Sequence, residues 1–349
     1  MPPARTGVAA YSAALAPALR QYFEVRINFT GEANLYHIGN NPLHAAIYKQ
    51  ALTHPGTVLL HDAVLQHFFL GQLSQAEYIE EFVYNYGEWH RSLAEQLYRE
   101  RARSAVDPRY FAWPMLRRLC ETARTVIVHN PAAADAVKRH APQATIHEIP
   151  HLWEESEAPA TLDVLRLRES LGVSEASLLC GIFGHLRETK RIAAVLRVLE
   201  RMEGVHLLLA GDCVSADLAR ALEAYSDAPW LIRRSYLPER EFWRYAHAVD
   251  LCINLRYPAA AEASGIGVRL MGAGKPVVLT SGPESARFPG SACMRCDTGP
   301  AEEEQLAAYI LAAQQDRPCL GAIGRAARDH IRANHNLPRV AAQFREAIR

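Results

Sequence analysis

Short apolar runs alternate with longer amphipathic segments along the first half of the chain. A short continuous apolar run is typical of a strand buried on both faces, whereas apolar residues three and four apart indicate a helix. The first half is predicted to form strands at residues 23–27, 34–38, 56–60, 125–128 and 145–149. It is predicted to form helices at residues 8–19, 43–52, 115–123 and 132–138, with two or three further helices between residues 63 and 104.

The same alternation continues through the second half. The predicted strands lie at residues 178–183, 205–210, 230–233, 251–254, 277–279 and around 293–296. The predicted helices lie at residues 192–202, 216–225, 239–248, 266–273, 302–314, 323–334 and 337–348. Strands that alternate with helices through short connections form parallel sheets covered by helices, so the predicted fold class is α/β.

A charged, proline-containing segment at residues 154–160 separates the two halves and is typical of a linker. We therefore expect two Rossmann-like domains facing each other across a cleft, at residues 1–155 and 156–336. The C-terminal helix at about 337–349 is expected to join the first domain. Residues 2–7 are predicted to form a loop, and no strand pattern precedes it. We therefore expect either that the first sheet lacks its usual first strand or that the sequence begins after that strand.

Composition excludes several classes of protein. A chain of 349 residues is long enough for two domains with substantial cores. Its formal net charge of zero disfavours a nucleic-acid binder, which usually carries a basic excess. Seven irregularly spaced cysteines argue against a disulfide framework and for a reducing compartment. No apolar run approaches the roughly 18–20 residues of a membrane span, and the N-terminus lacks a secretory signal, so we expect a cytoplasmic protein.

The sequence lacks the motifs of several enzyme classes. It contains no Gly-x-Ser-x-Gly, no Walker-type phosphate loop and no Gly-x-Gly-x-x-Gly, so a serine hydrolase, an NTPase or a dehydrogenase has no motif behind it. Cys293 and Cys296 form a lone CxxC pair on a predicted strand, and His147 and His151 straddle a strand end rather than one helix face. Neither arrangement favours a zinc site, and we expect no metal or other cofactor.

A small-residue turn at Ser264–Gly265–Ile266–Gly267 leads into the predicted helix 266–273. The first amides of a helix lack intrahelical partners and carry partial positive charge, which suits phosphate. The two glycines would let a ligand approach the backbone closely. Arg269 is expected in the first turn, where a cation is disfavoured unless an anion is bound. The alternative is an ordinary junction between a loop and a helix.

A second anion-suited turn follows the first predicted strand of the second half, at residues 184–191. Gly184 and His185 begin this turn, and Lys190 is a point charge able to reach a diphosphate, with Arg187 or Arg191 assisting. The alternative is a solvated basic loop. Two such turns at strand ends of one domain favour a phosphate site over two coincidental loops.

Polar residues also cluster at predicted strand ends in the first half. They are His37, Asn40, Asn41, His61 and Asp62. Because ligands of α/β folds bind outside the carboxyl ends of strands, we predict that these residues line a ligand-binding cleft, and that His61 can donate to sugar hydroxyls. Core packing or solvation of the histidines is the competing interpretation. Tyr84, Tyr86 and Trp89 add an aromatic surface, interpreted either as core packing or as an acceptor groove or membrane-surface face.

With these turns and strand ends, the chain resembles glycosyltransferase family 4, the retaining enzymes of the GT-B fold. The resemblance extends over nearly the whole chain. The stretch GHLRETK from Gly184 to Lys190 is similar to that family's diphosphate loop, and EASGIGVRLMGAGKPVV resembles its stretch with two glutamates, Glu262 being the first. HLLLAGD, the turn beginning at Tyr236, the loop at Gly7, YHIGNNP and LLHD resemble further family segments.

The resemblance implies roles for individual residues. Lys190 would contact the diphosphate, Glu262 the hydroxyls of the transferred sugar, Gly7 the donor phosphate, and His61 the reacting sugar. The implied catalytic residues are Glu262, Lys190 and His61. The implied acceptor-binding residues are His37, Asn40, Asn41, His61 and Asp62. The implied donor-binding residues are Gly7, Gly184, His185, Lys190, Arg191, Tyr236, Glu262, Ser264, Gly265, Ile266, Gly267 and Arg269.

Two positions depart from the family pattern. His185 replaces the arginine of the diphosphate loop, and Arg269 occupies the place of the second glutamate. In the family that glutamate accepts hydrogen bonds from ribose, and an arginine side chain has no acceptor for them. The identity of the donor base therefore stays open.

The leading expectation is a retaining glycosyltransferase that moves a sugar from a nucleotide sugar donor to a saccharide, lipid-linked or small-molecule acceptor. The first alternative is a catalytically weak GT-B protein that binds a glycan or a partner protein, and the second is a sugar-nucleotide epimerase. We expect no nucleic-acid partner. Peripheral contact with the inner face of a membrane is a further expectation that accompanies a lipid-linked acceptor.

Overall fold

Residues 6–348, which this computed structural model describes, form two compact units. The first unit contains residues 6–154, 258–263 and 334–348, and the second contains residues 155–257 and 264–333. The chain leaves the first unit after Glu154. It returns there briefly in the segment 258–263, before the rest of the second unit.

Four parallel strands within residues 6–154 form the sheet of the first unit, in the order β1–β2–β3–β4. They are β1 (Leu35–Ile38), β2 (Thr57–Leu60), β3 (Thr125–Val128) and β4 (Ile146–Glu148). Every residue of β2 and β3 is buried, as expected for central strands of a parallel sheet. Since Ile38 pairs with Leu60, the carboxyl ends of neighbouring strands lie along one edge.

Helices precede and connect these strands. They are α1 (Gly7–Leu19), α2 (Ala45–Thr53), α3 (Gln66–Gln72), α4 (Gln75–Tyr86), α5 (Arg91–Arg99), α6 (Pro108–Phe111), α7 (Arg117–Thr122) and α8 (Pro131–His140). The segment predicted to be helical in pieces forms α3, α4 and α5. Ser74 and Glu77 make a capping box that starts α4, and Gly87 ends it with φ of 89°, a conformation that glycine adopts readily.

Within residues 155–333, six parallel strands form the sheet of the second unit, in the order β10–β9–β8–β5–β6–β7. They are β5 (Leu178–Phe183), β6 (Val205–Ala210), β7 (Leu231–Arg234), β8 (Leu251–Asn254), β9 (Val277–Thr280) and β10 (Met294–Cys296). After β7, at one edge of the sheet, the chain crosses back to β8, which pairs with β5 on the side opposite β6. The polar ends of β5 and β8 are therefore neighbours at the carboxyl edge.

The helices of the second unit are α9 (Thr161–Ser170), α10 (Ile192–Leu199), α11 (Ala216–Glu223), α12 (Glu239–Ala248), α13 (Gly265–Gly272), α14 (Glu302–Gln315) and α15 (Arg317–Asn334). Helix α9 was not predicted; Leu167 is its one buried residue, and Leu162 and Leu165 are exposed. The predicted start of α15 at residue 323 was wrong. The helix begins at Arg317, since Gly321 and Gly324 do not interrupt it.

The last helix, α16 (Leu337–Ala347), belongs to the first unit. Its Val340 and Phe344 are fully buried, and they share a hydrophobic core with Tyr11 and Leu15 of α1. Trp153 N–H donates to the carbonyl of His335 at 2.7 Å, which fixes the chain just before this helix.

The strand predicted at residues 23–27 is wrong. These residues are irregular, and Phe23 and Val25 pack against the core shared by α1 and α16 without pairing in the sheet. Asn28 follows with φ of 58°, which is incompatible with an extended strand. The alternation of apolar residues reflects packing against helices here. Residues 6–34 contain no strand, and most of the loop predicted at residues 2–7 lies outside the described residues.

Two further properties hold for residues 6–348. No helix there has the length and apolar character needed to cross a bilayer. No group of three or more histidine, cysteine, aspartate or glutamate side chains in this range is arranged to hold a metal ion.

Candidate functional site

The turn after β5 is tightly packed against the end of β6. Gly184 adopts a φ of 81°, and a β-carbon placed on Gly211 would lie only 2.3 Å from the Gly184 carbonyl oxygen. The Gly184 N–H donates to the carbonyl of Ala210 at 2.9 Å. Only glycine fits at position 211, because any side chain would collide with the neighbouring backbone.

Lys190 lies beneath this turn, and its residue is only 5% exposed. Its ammonium donates to the carbonyl of Phe183, and a β-carbon on Gly184 would lie 3.3 Å from Nζ. Burial, with the charges of Arg256 and Arg187, holds the pKa of Lys190 well below its usual value. No carboxylate among residues 6–348 pairs with it. The site therefore contains a buried amine that lacks the counter-ion a buried ammonium requires.

The N-terminus of α13 lies beside the same turn. A β-carbon on Gly184 would be 3.4 Å from Cγ1 of Ile266. Ser264 caps the helix by accepting from Gly267 N–H at 3.1 Å, and Asn254 at the end of β8 donates to the Ser264 hydroxyl at 2.9 Å. Within the described chain, the N–H groups of Gly265 and Ile266 have no acceptor. The turn and these amides form one positively polarised surface.

Arg256 belongs to this surface, and the sequence interpretation missed it. It follows β8, its N–H donates to the Thr280 hydroxyl at 2.7 Å, and its guanidinium donates to the Ser264 hydroxyl at 3.3 Å. The available signal was its place just after a buried strand, where ligands of parallel sheets bind. In the second half, the predicted phosphate sites are the two glycine-containing turns, and Arg256 lies in neither of them.

Arg191 and Tyr236, unlike Lys190, each have an acidic residue as a partner. Arg191 has φ of 60° and forms an ion pair at 2.8 Å with Glu302, whose side chain is only 3% exposed. That contact joins the turn to the start of α14. Tyr236 is 49% exposed, and its N–H donates to Asp212 at 3.0 Å, which ties it to the end of β6. His185 is exposed at the rim of the turn.

The expected position of Arg269 in the first turn of α13 was wrong. The helix spans only Gly265–Gly272, so Arg269 lies in its last turn, where a cation is favourable. Its guanidinium pairs with Glu239 and lies 4.1 Å from the centre of the Phe242 ring. Arg269 therefore puts no unfavourable charge in the first turn, and its position gives no evidence for a bound anion.

Glu262 lies in the segment 258–263, which belongs to the first unit. Ala63 N–H donates to the Ala260 carbonyl, and the Asn130 side chain donates to the Ala261 carbonyl, both at 3.0 Å. Ala261 has φ of 53°, and Ala260 N–H donates to the Glu262 carboxylate at 2.7 Å. These contacts hold Glu262 near the residues that follow β2 and β3.

Four imidazoles surround Tyr11 along the carboxyl edge of the first sheet. The ring centres of His61, His129 and His151 lie 5.0, 5.2 and 4.9 Å from that of Tyr11, and His37 lies 6.0 Å away. His37 and His61 stack with ring centres 5.3 Å apart. Each of the four strands, or the residues that follow it, therefore contributes one histidine to this histidine cluster.

Burial governs protonation in this cluster. It lowers the pKa of His37 to about 4, with His44 acting in the same direction. It lowers the pKa of His129 to about 4, and it lowers the pKa of His61 well below its usual value, with the neighbouring imidazoles adding to the effect. The imidazoles of His37, His61 and His129 are therefore neutral at neutral pH.

The remaining predicted acceptor residues have local partners. The Asn40 side chain accepts from Phe68 N–H at 2.8 Å and contacts His67, while Asn40 N–H donates to Asp62 at 2.8 Å. Asn41 accepts from Leu43 N–H at 2.9 Å and caps a short turn. These contacts order the loop after β1. Gly7 is exposed at the start of α1, and space for a side chain is open there.

The aromatic residues between 63 and 104 divide between core and surface. Tyr86 packs against Trp113 with ring centres 4.7 Å apart, and its hydroxyl accepts from Met115 N–H at 2.9 Å. Arg118 lies 3.8 Å from the centre of the Tyr84 ring. Trp89 is 98% exposed. Core packing therefore accounts for Tyr86 but not for Trp89.

The structure gathers the predicted residues into two groups. In the second unit it brings Gly184, Lys190 and Ile266 together with the cap residue Ser264. In the first unit it places His37, His61, Asn40, Asp62 and Glu262 at one sheet edge.

No protein-family model matches this chain, and no curated protein matches it in sequence. Solved structures do match. Anabaena Alr3699/HepE in complex with UDP-glucose has a TM-score of 0.61 at 17% identity, over 89% of this chain and 98% of that one. WaaG, a glycosyltransferase involved in lipopolysaccharide biosynthesis, has a TM-score of 0.63 at 13% identity, over 98% and 96%.

A third similar structure is the sucrose-phosphate synthase (tll1590) from Thermosynechococcus elongatus, with a TM-score of 0.61 at 15% identity. The likeness covers 89% of this chain and 72% of that one. At such identities the likeness establishes architecture rather than activity. The predicted fold class is confirmed: the chain has the α/β architecture of the GT-B fold.

Proposed function

We propose that this protein is a retaining glycosyltransferase that transfers a sugar from a nucleoside diphosphate donor to a hydroxyl of a saccharide, lipid-linked or small-molecule acceptor. The surface formed by Gly184, Lys190, Arg256 and the N-terminus of α13 binds the donor diphosphate. Glu262 and His61, in the first unit, contact the transferred sugar. The protein acts in the cytoplasm, and no metal takes part.

The observation that carries the proposal is the burial of Lys190 without a carboxylate partner. Burial disfavours the charged form, so an ammonium at this position needs an anion. Arg256, Arg187 and the unpartnered amides of Gly265 and Ile266 add positive potential on the same side. A diphosphate supplies the missing charge and accepts from several donors at once, whereas a neutral ligand does neither.

This arrangement suits the departure of a nucleoside diphosphate. Negative charge grows on the leaving diphosphate as its bond to the anomeric carbon breaks, and preorganised donors stabilise that charge. Positive charge develops on the sugar at the same time, near the carboxylate of Glu262. The acceptor hydroxyl attacks the anomeric carbon from the face that the diphosphate leaves and gives its proton to the departing phosphate oxygen, so the anomeric configuration is retained without a protein nucleophile.

UDP-glucose is the first donor to test, because the similar Alr3699/HepE structure contains it. Purified protein is screened with UDP-, GDP- and ADP-sugars for thermal stabilisation, and then for release of the diphosphate with and without acceptor sugars. The proposal predicts that at least one donor stabilises the protein and is consumed. Proton NMR of the first product formed then reports whether the anomeric configuration is kept.

Lys190→Met and Glu262→Gln keep the approximate size of each side chain and remove its charge. Each is expected to lower turnover by roughly tenfold or more, the scale of one lost transition-state contact. Lys275→Met is the matched control, since Lys275 is a half-buried lysine of the second unit that lies outside the proposed site, donates to the carbonyls of His247 and Val249, and has the carboxylate of Asp250 nearby. Silence with every nucleotide sugar contradicts the proposal and favours a GT-B protein that binds a glycan or a partner.

A further inference from the structure

The hydroxyl of Ser12 fixes the position of one proton in the histidine cluster. Its oxygen lies 2.8 Å from the carbonyl oxygen of Val8, one helical turn earlier in α1. A carbonyl oxygen can only accept, so the single hydroxyl hydrogen is donated there. The same Ser12 oxygen lies 3.0 Å from Nδ1 of His37. Because its hydrogen is already donated to Val8, the Ser12 oxygen can only accept from His37. Nδ1 of His37 must therefore carry a proton.

That proton determines the state of His61. Nδ1 of His37 lies 3.1 Å from Nε2 of His61. Two N–H groups cannot form a hydrogen bond with each other, so a protonated Nδ1 on His37 requires a bare Nε2 on His61. The proton of His37 is then shared between two acceptors, the Ser12 oxygen and the His61 nitrogen, as in other three-centre hydrogen bonds.

The remaining nitrogen of His61 faces a different environment. Burial and the imidazoles of His37, His129, His151 and His44 keep the pKa of His61 low, so the ring is neutral and holds one proton. With Nε2 bare, that proton lies on Nδ1. Among residues 6–348, Nδ1 of His61 has no hydrogen-bond partner, and it is not one of the fully buried unpartnered atoms. It therefore keeps some exposed surface and has no acceptor within the described chain.

We propose that Ser12 and His37 are positioning residues that hold His61 in the neutral tautomer protonated at Nδ1, so that His61 donates a hydrogen bond to a sugar hydroxyl oxygen. The identity of the ligand rests on the proposed function, whereas the tautomer does not. A neutral donor suits a hydroxyl oxygen, which bears no charge. It also leaves the diphosphate to the cationic surface of the second unit.

The tautomer is measured directly by ¹H–¹⁵N correlation of the histidine ring nitrogens in the full-length protein at neutral pH. The expected spectrum shows His61 protonated at Nδ1 and bare at Nε2, with the signals assigned by their loss in His61→Asn. Ser12→Ala removes one acceptor for the His37 proton and is expected to raise the Nε2-protonated fraction of His61 by roughly fivefold. Ser12→Thr keeps the hydroxyl and is expected to resemble the wild type.

A wild-type His61 protonated at Nε2 overturns the inference, and so does a tautomer ratio that Ser12→Ala leaves unchanged. The wild-type spectrum decides the matter even if the variants fold poorly. In transfer assays, His61→Asn keeps an N–H near the position of Nδ1, whereas His61→Gln places one near Nε2. The asparagine variant is expected to retain at least tenfold more activity, and the reverse order contradicts the role. Absence of turnover in the wild type refutes the proposed function, and the spectrum still tests the tautomer.

Discussion

Acidification should destabilise the first unit, because its buried histidines must be neutral to fold. The pKa values of His37 and His129 are about 4 in the folded protein, against about 6.5 for an unfolded histidine. The unfolded chain therefore binds more protons as the pH falls below about 6.5. The stability that neutral imidazoles provide is fully present above that pH and is lost progressively as the pH falls towards 4.

The magnitude follows from these two values. At pH 5 an unfolded histidine with a pKa of 6.5 is stabilised by protonation by about 2 kcal/mol, whereas a folded one with a pKa near 4 gains almost nothing. His37 and His129 together therefore lose about 4 kcal/mol of stability between pH 7.5 and pH 5. His61 acts in the same direction. A loss of this size is a large part of the roughly 5–15 kcal/mol that holds a typical domain folded.

Native-state hydrogen exchange followed by mass spectrometry measures this loss in peptides that cover β2 and β3. His129→Asn removes one titrating group, and its amide can still donate to the Ile149 carbonyl, which His129 Nδ1 contacts at 2.8 Å. This variant should lose about 2 kcal/mol less than the wild type between pH 7.5 and pH 5. His54→Gln alters an exposed histidine and serves as the control. If His129→Asn and the wild type lose stability equally, buried neutral imidazoles do not set the acid limit.

Substitutions at three positions test the packing around the proposed diphosphate-binding surface. Gly211→Ala would press a β-carbon against a carbonyl oxygen 2.3 Å away, so it should cost about 2 kcal/mol or more in urea unfolding; an unchanged midpoint would show that the turn relaxes freely. Ser264→Ala removes the cap of α13 and should cost about 1 kcal/mol, while Ser264→Asp keeps an acceptor and should not. Arg191→Met leaves the carboxylate of Glu302 buried without its ion-pair partner, so it should cost about 3 kcal/mol; a variant with unchanged stability but weaker nucleotide binding would instead assign Arg191 to the ligand.

The sequence predicts most strands because a strand covered on both faces must be apolar throughout. The bounds predicted for β3, β5, β6 and β8 coincide with those in the structure. Helix α12 is likewise predicted to the residue, between the proline turn that starts it and the valine that ends it. The strand predicted at residues 23–27 is wrong because apolar side chains there pack against helices. Their spacing resembles that of a strand, although the segment does not pair in the sheet.

The candidate site is less accessible to sequence reasoning, because its contacts join distant parts of the chain. The glycine turns indicate Gly184 and Lys190, and the rule that ligands bind at strand ends indicates His37 and His61. Arg256 is marked only by its place just after a buried strand, and its relation to Lys190 depends on β5 and β8 being neighbours in the sheet. The sequence also does not indicate that the segment 258–263 belongs to the first unit. Backbone carbonyls of alanines accept the hydrogen bonds that attach it, and alanine side chains give no sign of such contacts.

The central claim is that Lys190 is the main cationic contact of a bound diphosphate. Isothermal titration of UDP, the nucleoside diphosphate part of UDP-glucose, into the wild type, Lys190→Met and Lys275→Met is the sharpest test of this claim. The account predicts binding to the wild type and to Lys275→Met, and at least tenfold weaker binding to Lys190→Met. Equal affinity of folded Lys190→Met and wild type would contradict it.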